Sequence, residues 1–177
     1  MIQRVFALLL ILSLQLFAKQ YNTNIINIEA KLFVKIALLE EGIRSSDSPI
    51  LSIYILAKKI DENAAKKFQS AIEADYPNVL LNKRVTVQIV QFNTAMQQKP
   101  DAVIVLQHKK KELQEIAAWA NKNKIVSFAY DPAYLKNGLL VSLYLGKTTK
   151  PYLNKKVIQE YGFVFNSYLM QLSKFKE

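Results

Sequence analysis

Ile50-Leu51-Ser52-Ile53-Tyr54-Ile55-Leu56 and Ala102-Val103-Ile104-Val105-Leu106 decide how this chain folds. Both stretches are short, rich in β-branched residues and almost continuously apolar, as strands buried on both faces of a sheet are. The sequence after each changes period. Residues 62–75 place Ala65, Phe68, Ala71 and Ile72 at helical spacing behind Asp61, a candidate N-cap. Residues 109–123 do the same with Leu113, Ile116, Ala117 and Ala120. Between the two units, residues 84–92 alternate, with Val85, Val87 and Ile89 on one face and Thr86, Gln88 and Val90 on the other. Residues 124–130 read as a further strand.

Outward from this centre the pattern continues. An opening helix is expected over residues 28–39, with Ile28, Leu32, Phe33, Ile36 and Leu39 inward. Residues 131–137 form a loop, and residues 138–145 a strand that is the candidate for an antiparallel member of the sheet. Asn154 sits where the N-cap of a helix over residues 154–161 belongs, and Gly162 interrupts that helix. A closing helix over residues 166–175 carries Tyr168, Leu169, Leu172 and Phe175 on one side. Strands alternating with helices imply a mainly parallel sheet covered on both faces. The expected fold class is therefore α/β, a three-layer sandwich resembling one lobe of a periplasmic binding protein.

The 177 residues, 51% hydrophobic with four glycines and five prolines, suit one domain with a packed core and exclude a disordered or fibrous chain. The absence of cysteine removes thiolate metal sites, disulfides and cysteine nucleophiles, and a single histidine, His108, excludes a multi-histidine metal site. The net charge of +10 favours anionic partners, yet only Arg4, Arg44 and Arg84 are arginines among 24 basic residues. Nucleic-acid readers lean on the planar, bidentate guanidinium, so a lysine-rich solvated surface is expected and no nucleic-acid partner.

Residues 1–4 are a short basic start and residues 5–17 an apolar run broken by Ser13 and Gln15, followed by Ala18. This is the form of a secretory signal peptide over residues 1–18, too short an apolar run for a permanent membrane anchor. The expected mature unit is a single domain over residues 19–177, located in the periplasm. With no cysteine after the apolar run, lipoprotein anchoring is excluded.

Catalytic signatures are missing. The glycines, at 42, 138, 146 and 162, are too scattered for a phosphate loop or a dinucleotide fingerprint, and no G-x-S-x-G elbow occurs. His108 reads as a surface loop residue in preference to a base at a sheet crevice, and Lys109 to Lys111 as a solvated patch. The segment Tyr130-Asp131-Pro132-Ala133-Tyr134 follows a strand, where open α/β sheets place ligand-contacting loops. Tyr130, Asp131 and Tyr134 are thus candidate partner- or ligand-binding residues, with turn capping as the competing use of Asp131. Tyr152 joins them from the aromatic-rich C-terminal part of the chain. No catalytic residue, metal ligand or cofactor is expected.

Gly138-Leu139-Leu140-Val141-Ser142-Leu143, then Pro151-Tyr152-Leu153-Asn154, then Gly162 with Phe165, Leu169, Met170 and Leu172, resemble the end of the YfiR-like periplasmic family. Glu29-Ala30-Lys31-Leu32-Phe33-Val34-Lys35 is similar to its opening helix after the signal peptide. The resemblance implies a non-enzymatic periplasmic regulator; the best-known members restrain a membrane-bound diguanylate cyclase by binding its periplasmic sensor domain, a link to cyclic-di-GMP signalling. The family's redox-responsive cysteines are absent here, the tryptophan-proline pair closing its opening helix is replaced by residues 40–44, and Asn137 stands for its second glycine. The expected partner is a membrane-bound receptor or sensor protein. Two other readings stay open: a periplasmic small-solute binding protein, in which one lobe offers half a cleft and a homodimer would complete it, and a structural accessory of an envelope complex.

Overall fold

The computed structural model describes residues 21–176; the expected signal peptide lies outside them. The chain forms α1 (Thr23–Ala37), α2 (Glu41–Ser45), β1 (Ile50–Leu56), a 3₁₀ turn (Lys59–Asp61) and α3 (Glu62–Asp75), followed by β2 (Arg84–Val90), α4 (Phe92–Ala95), β3 (Ala102–Val105) and α5 (Lys110–Lys122). Then come β4 (Val126–Ala129), a second 3₁₀ helix (Pro132–Asn137), β5 (Val141–Leu145), β6 (Thr149–Asn154), α6 (Lys155–Tyr161), α7 (Ser167–Leu172) and β7 (Lys174–Lys176). The seven strands make one sheet in the order β2-β1-β3-β4-β5-β6-β7. All neighbours are parallel except β5 and β6. The three-layer α/β architecture expected from the sequence is the architecture observed.

Each face of the sheet has its own core. On one, α1 and α3 bury Ala30, Phe33, Phe68 and Ile72 against Leu51, Ile53, Ile104 and Phe128, with Leu169 of α7 at the far end. Phe33 stacks on Phe128 at 4.5 Å and on Phe68 at 6.5 Å between ring centroids. All three rings are fully buried, and each contributes roughly 2–3 kcal/mol by removal from water. On the other face, α5 lays Leu113, Ile116, Ala117 and Ala120 against Val103, Val105, Ile125 and Ala129.

Several local expectations change. The opening helix starts earlier, at Thr23, because Asn22 caps it by accepting from Asn24 N and Ile25 N. Its buried apolar residues are Ile26, Ala30, Phe33, Val34, Ile36 and Ala37, so Phe33 and Ile36 lie inward as expected and Ile28 faces outward. Asp61 precedes α3 as expected but makes no side-chain cap. The strands that run against the rest are β6 and β7, whereas the strand over residues 138–145 begins only at Val141 and is parallel to β4. Leu139 and Leu140 are held largely by side chains: Ser127 Oγ accepts from Leu140 N, and Asn154 Nδ2 donates to Leu139 O and Leu135 O, while Leu140 O accepts from Asn154 N of the backbone. Gly138 closes the second 3₁₀ helix at φ 98°, where a Cβ would also lie 3.2 Å from Ala117 Cβ; only glycine takes that conformation without strain. The closing helix stops at Leu172, and Phe175 belongs to β7, paired beside Leu153.

Candidate functional site

The strand order 2-1-3 creates a switch point. The chain leaves β1 toward one edge and, after β2, returns to the other side of β1, so connections diverge above the carboxyl ends of β1 and β3. In open α/β sheets the resulting crevice is where ligands bind. Here it has two sides with different contents.

On the α1 side the crevice is filled by the chain itself. The Tyr21 hydroxyl donates to Asp61 Oδ1 at 2.8 Å, just after β1, and accepts from Gln107 N at 3.0 Å, just after β3. Its ring meets that of Tyr130 at 4.8 Å, and Asn22 N donates to the Tyr130 hydroxyl at 3.1 Å. Tyr130 in turn meets Phe68 edge-on at 6.2 Å. Asp61 is only 2% exposed, and its Oδ2 has no hydrogen-bond partner among the described residues. Burial and the Asp61 carboxylate together hold the Tyr21 phenol well above the usual tyrosine range, so it stays a neutral donor.

On the α5 side lies an open cleft of about 330 Å³, lined by Lys58, Gln91, Phe92, Asn93, His108 and Glu112. Lys58 Nζ pairs with Glu112 Oε2 at 2.6 Å, and the same oxygen accepts from Lys109 N at 2.8 Å at the start of α5. These two donors, Lys58 first, hold the Glu112 carboxyl below the usual carboxylate range. The second is the reach-back half of a capping box. His108 is half-buried, with Nδ1 3.4 Å from Leu106 O. Desolvation pushes its pKa below the usual histidine value, which favours the neutral ring at pH 7. The histidine lies in the loop between β3 and α5, as expected from sequence, and from there it lines the crevice.

The tyrosines among the four candidate residues are divided between the two cores. Tyr130 packs against the α1-side core, while Tyr134 and Tyr152 pack against the α5-side core. Asp131 Oδ1 accepts from Ala133 N at 2.9 Å and caps the 3₁₀ helix, the turn-capping use weighed against ligand binding. Asn154 acts structurally, as its position implied: Oδ1 accepts from Val157 N while Nδ2 clamps two carbonyls. Tyr21 and Asp61 were missed as a pair because a contact across 40 residues leaves no periodic trace. The cue available was an acidic residue in the connection after a buried strand, which the capping reading absorbed.

Chemically, the crevice offers hydrogen-bond donors, one ion pair and a neutral imidazole. Among the described residues, no group of three or more histidine, aspartate or glutamate side chains converges on a metal-sized site, and no helix is long and apolar enough to cross a membrane.

No family model and no curated protein matches this chain. Among solved structures, a conserved domain protein from Vibrio cholerae O1 biovar El Tor superposes with a TM-score of 0.59 at 11% identity, over 86% of this chain and 60% of that one. The ABC domain in complex with L-Trp from Streptococcus pneumonia superposes with a TM-score of 0.52 at 15% identity, over 79% of this chain and 61% of that one. The chain thus spans about six-tenths of the length of each of these structures. Identities this low establish likeness of fold alone: an α/β domain with helices on both faces of a seven-stranded, mostly parallel sheet.

Proposed function

We propose that this protein is a non-enzymatic periplasmic regulator that works by contact, binding the periplasmic sensor domain of a membrane protein; a diguanylate cyclase is the partner that the resemblance to the YfiR-like family suggests. One observation supports this above others: the α1 side of the ligand crevice is occupied by Tyr21, bonded to both of the strand ends that form it. A domain whose crevice is filled on one side by its own chain has less room there for a solute and its outer surface left for recognition. That surface includes many large apolar side chains, among them Ile60 at 75% exposure and Tyr168 at 67%, a resource for protein contacts. The test is cross-linking of the tagged full chain in intact cells, followed by purification from the envelope fraction. Enrichment of a membrane protein with an extracytoplasmic sensor domain is expected, and recovery of no membrane protein overturns the reading.

The open cleft beside His108 favours a second reading, a small-solute binding protein, since about 330 Å³ is at the lower end of ligand-pocket volumes. Strong thermal stabilisation by one metabolite, abolished in Lys58→Met, would put this reading first.

A further inference from the structure

The charge of the chain is unevenly placed. Residues 132–176 hold seven lysines against one acid, Glu160. None of these lysines forms an ion pair among the described residues. The fold gathers several of them at one edge of the sheet. In β7, Lys174 and Lys176 point to one face and Phe175 to the other, by the two-residue period of a strand. Lys174 is paired beside Tyr152, and its Nζ sits 3.5 Å over the ring of Tyr144, itself opposite Lys150. Tyr144 thereby holds an ammonium on the face it would otherwise leave by rotamer freedom. The opposite face presents Phe175 at 40% and Leu172 at 44% exposure. β7 is the last strand of the sheet and pairs with β6 alone. Among the described residues, no backbone hydrogen bond leaves it on its outer side.

We infer that the outer edge of β7 is a docking site for an extended segment of an acidic partner protein, which adds a strand to the sheet. Its acidic side chains lie over Lys174 and Lys176, and its alternate apolar side chains lie against Phe175. Only another polypeptide can continue the main-chain ladder beyond this edge, which distinguishes it from a patch for anionic lipid. Edge lysines oppose pairing with a second copy, because like charges would face each other across the new ladder. The same lysines raise the encounter rate of an acidic strand. The inference rests on the reading of the chain as a protein-binding regulator and names the surface it uses.

The test uses the full chain and a fluorescein-labelled peptide of alternating glutamate and valine, read by anisotropy. Four comparison probes accompany it: two twins methylated on alternate backbone nitrogens, one in each register, a lysine–valine peptide, and phosphatidylglycerol vesicles. Binding of the glutamate–valine peptide is expected to weaken about tenfold or more in K174E/K176E and less in K174Q/K176Q. One methylated twin should bind about tenfold more weakly than the parent, because it cannot complete the ladder. The lysine–valine peptide should not bind. No binding of the glutamate–valine peptide, equal binding of both twins and the parent, or vesicle binding lost in K174E/K176E would each overturn the proposal. Circular dichroism melting of both variants establishes that they fold. Envelope capture separates the two levels. If the wild type and K174E/K176E recover the same membrane protein equally, the surface is wrong and the regulator reading stands. If neither recovers one, the regulator reading fails while the peptide results still decide the edge.

Discussion

Removing a single oxygen tests whether the N-terminal segment closes the crevice. In Tyr21→Phe the ring stays, and with it the 4.8 Å packing on Tyr130, but the hydroxyl joining Asp61 to Gln107 N is gone. Asp61 is 2% exposed and its Oδ2 already lacks a partner, so neither carboxylate oxygen then has one among the described residues. A hydrogen bond to a charged group contributes roughly 1.5–3 kcal/mol, whereas water can replace the bond at the exposed Gln107 amide. The expected loss is about 2 kcal/mol, equivalent to about 4–8 °C in Tm for a domain of this size. Urea unfolding followed by the fluorescence of Trp119, the single tryptophan, measures it. Asp61→Asn keeps an acceptor for the hydroxyl while removing the buried charge, and should stay within about 1 kcal/mol of the wild type or exceed it. Tyr21→Phe in the Asp61→Asn background should then cost less than in the wild type. The phenol also sets a pH dependence. Its pKa is raised in the folded state, so its contribution is complete below the unfolded tyrosine value near 10 and is lost as pH rises toward the folded value. Tyr21→Phe should therefore lose less stability above pH ~10 than the wild type. A loss below about 0.5 kcal/mol together with unchanged alkaline sensitivity would refute the bridging role assigned to Tyr21.

Other outcomes follow from single side chains. Asn154→Ala removes the cap on Val157 N and both carbonyl clamps, and should cost about 2–3 kcal/mol in urea unfolding. His108 should titrate below 6.5 in proton NMR; because its folded pKa is depressed, stability falls as pH drops below the unfolded value, and His108→Gln should flatten that acid limb. Tyr76, raised mainly by burial to about 12, should ionise late in a native ultraviolet titration and normally in urea. Glu40 accepts from Ile43 N and Val164 N, joining α2 to the segment after Gly162, so Glu40→Ala should lower stability by about 1–2 kcal/mol. Hydrogen exchange of the Val164 amide should accelerate with it.

The parts of the fold that periodicity reveals were those whose burial is set within one element. β1 is almost continuously apolar because strands cover both its sides and helices both its faces, and its observed bounds match the quoted heptapeptide. α5 keeps a single inner stripe because it packs on one surface only. Residues 138–140 and 173–176 resisted such a reading for different reasons. The first segment is apolar yet held by the distant side chains of Ser127 and Asn154, with one backbone bond from Asn154 N to Leu140 O. The second alternates lysine with phenylalanine over three residues, too short a run to oppose the helical spacing before it; its strand character comes from pairing with β6.

The candidate site followed the same division. Topology placed attention on the carboxyl ends of the strands, but the loop after β4 is used for capping and packing. The decisive contacts instead come from Tyr21, ahead of the first described helix, and from Asp61, whose position before α3 resembles an ordinary cap. An aspartate that caps its own helix needs no distant partner; one turned away from the helix amides needs a donor from elsewhere. Tyr21 supplies it, and in doing so ties the start of α1 across the ends of β1 and β3. The same hydrogen bonds that anchor the opening helix therefore close one side of the crevice, so loosening Tyr21 should expose that side and free the first turn of α1 together. Hydrogen exchange in Tyr21→Phe checks this coupling: faster exchange at Ile25 and Ile26 with Gln107, and unchanged protection in α5, is the expected pattern. Release of α1 without Gln107, or the reverse, would separate the anchor from the plug.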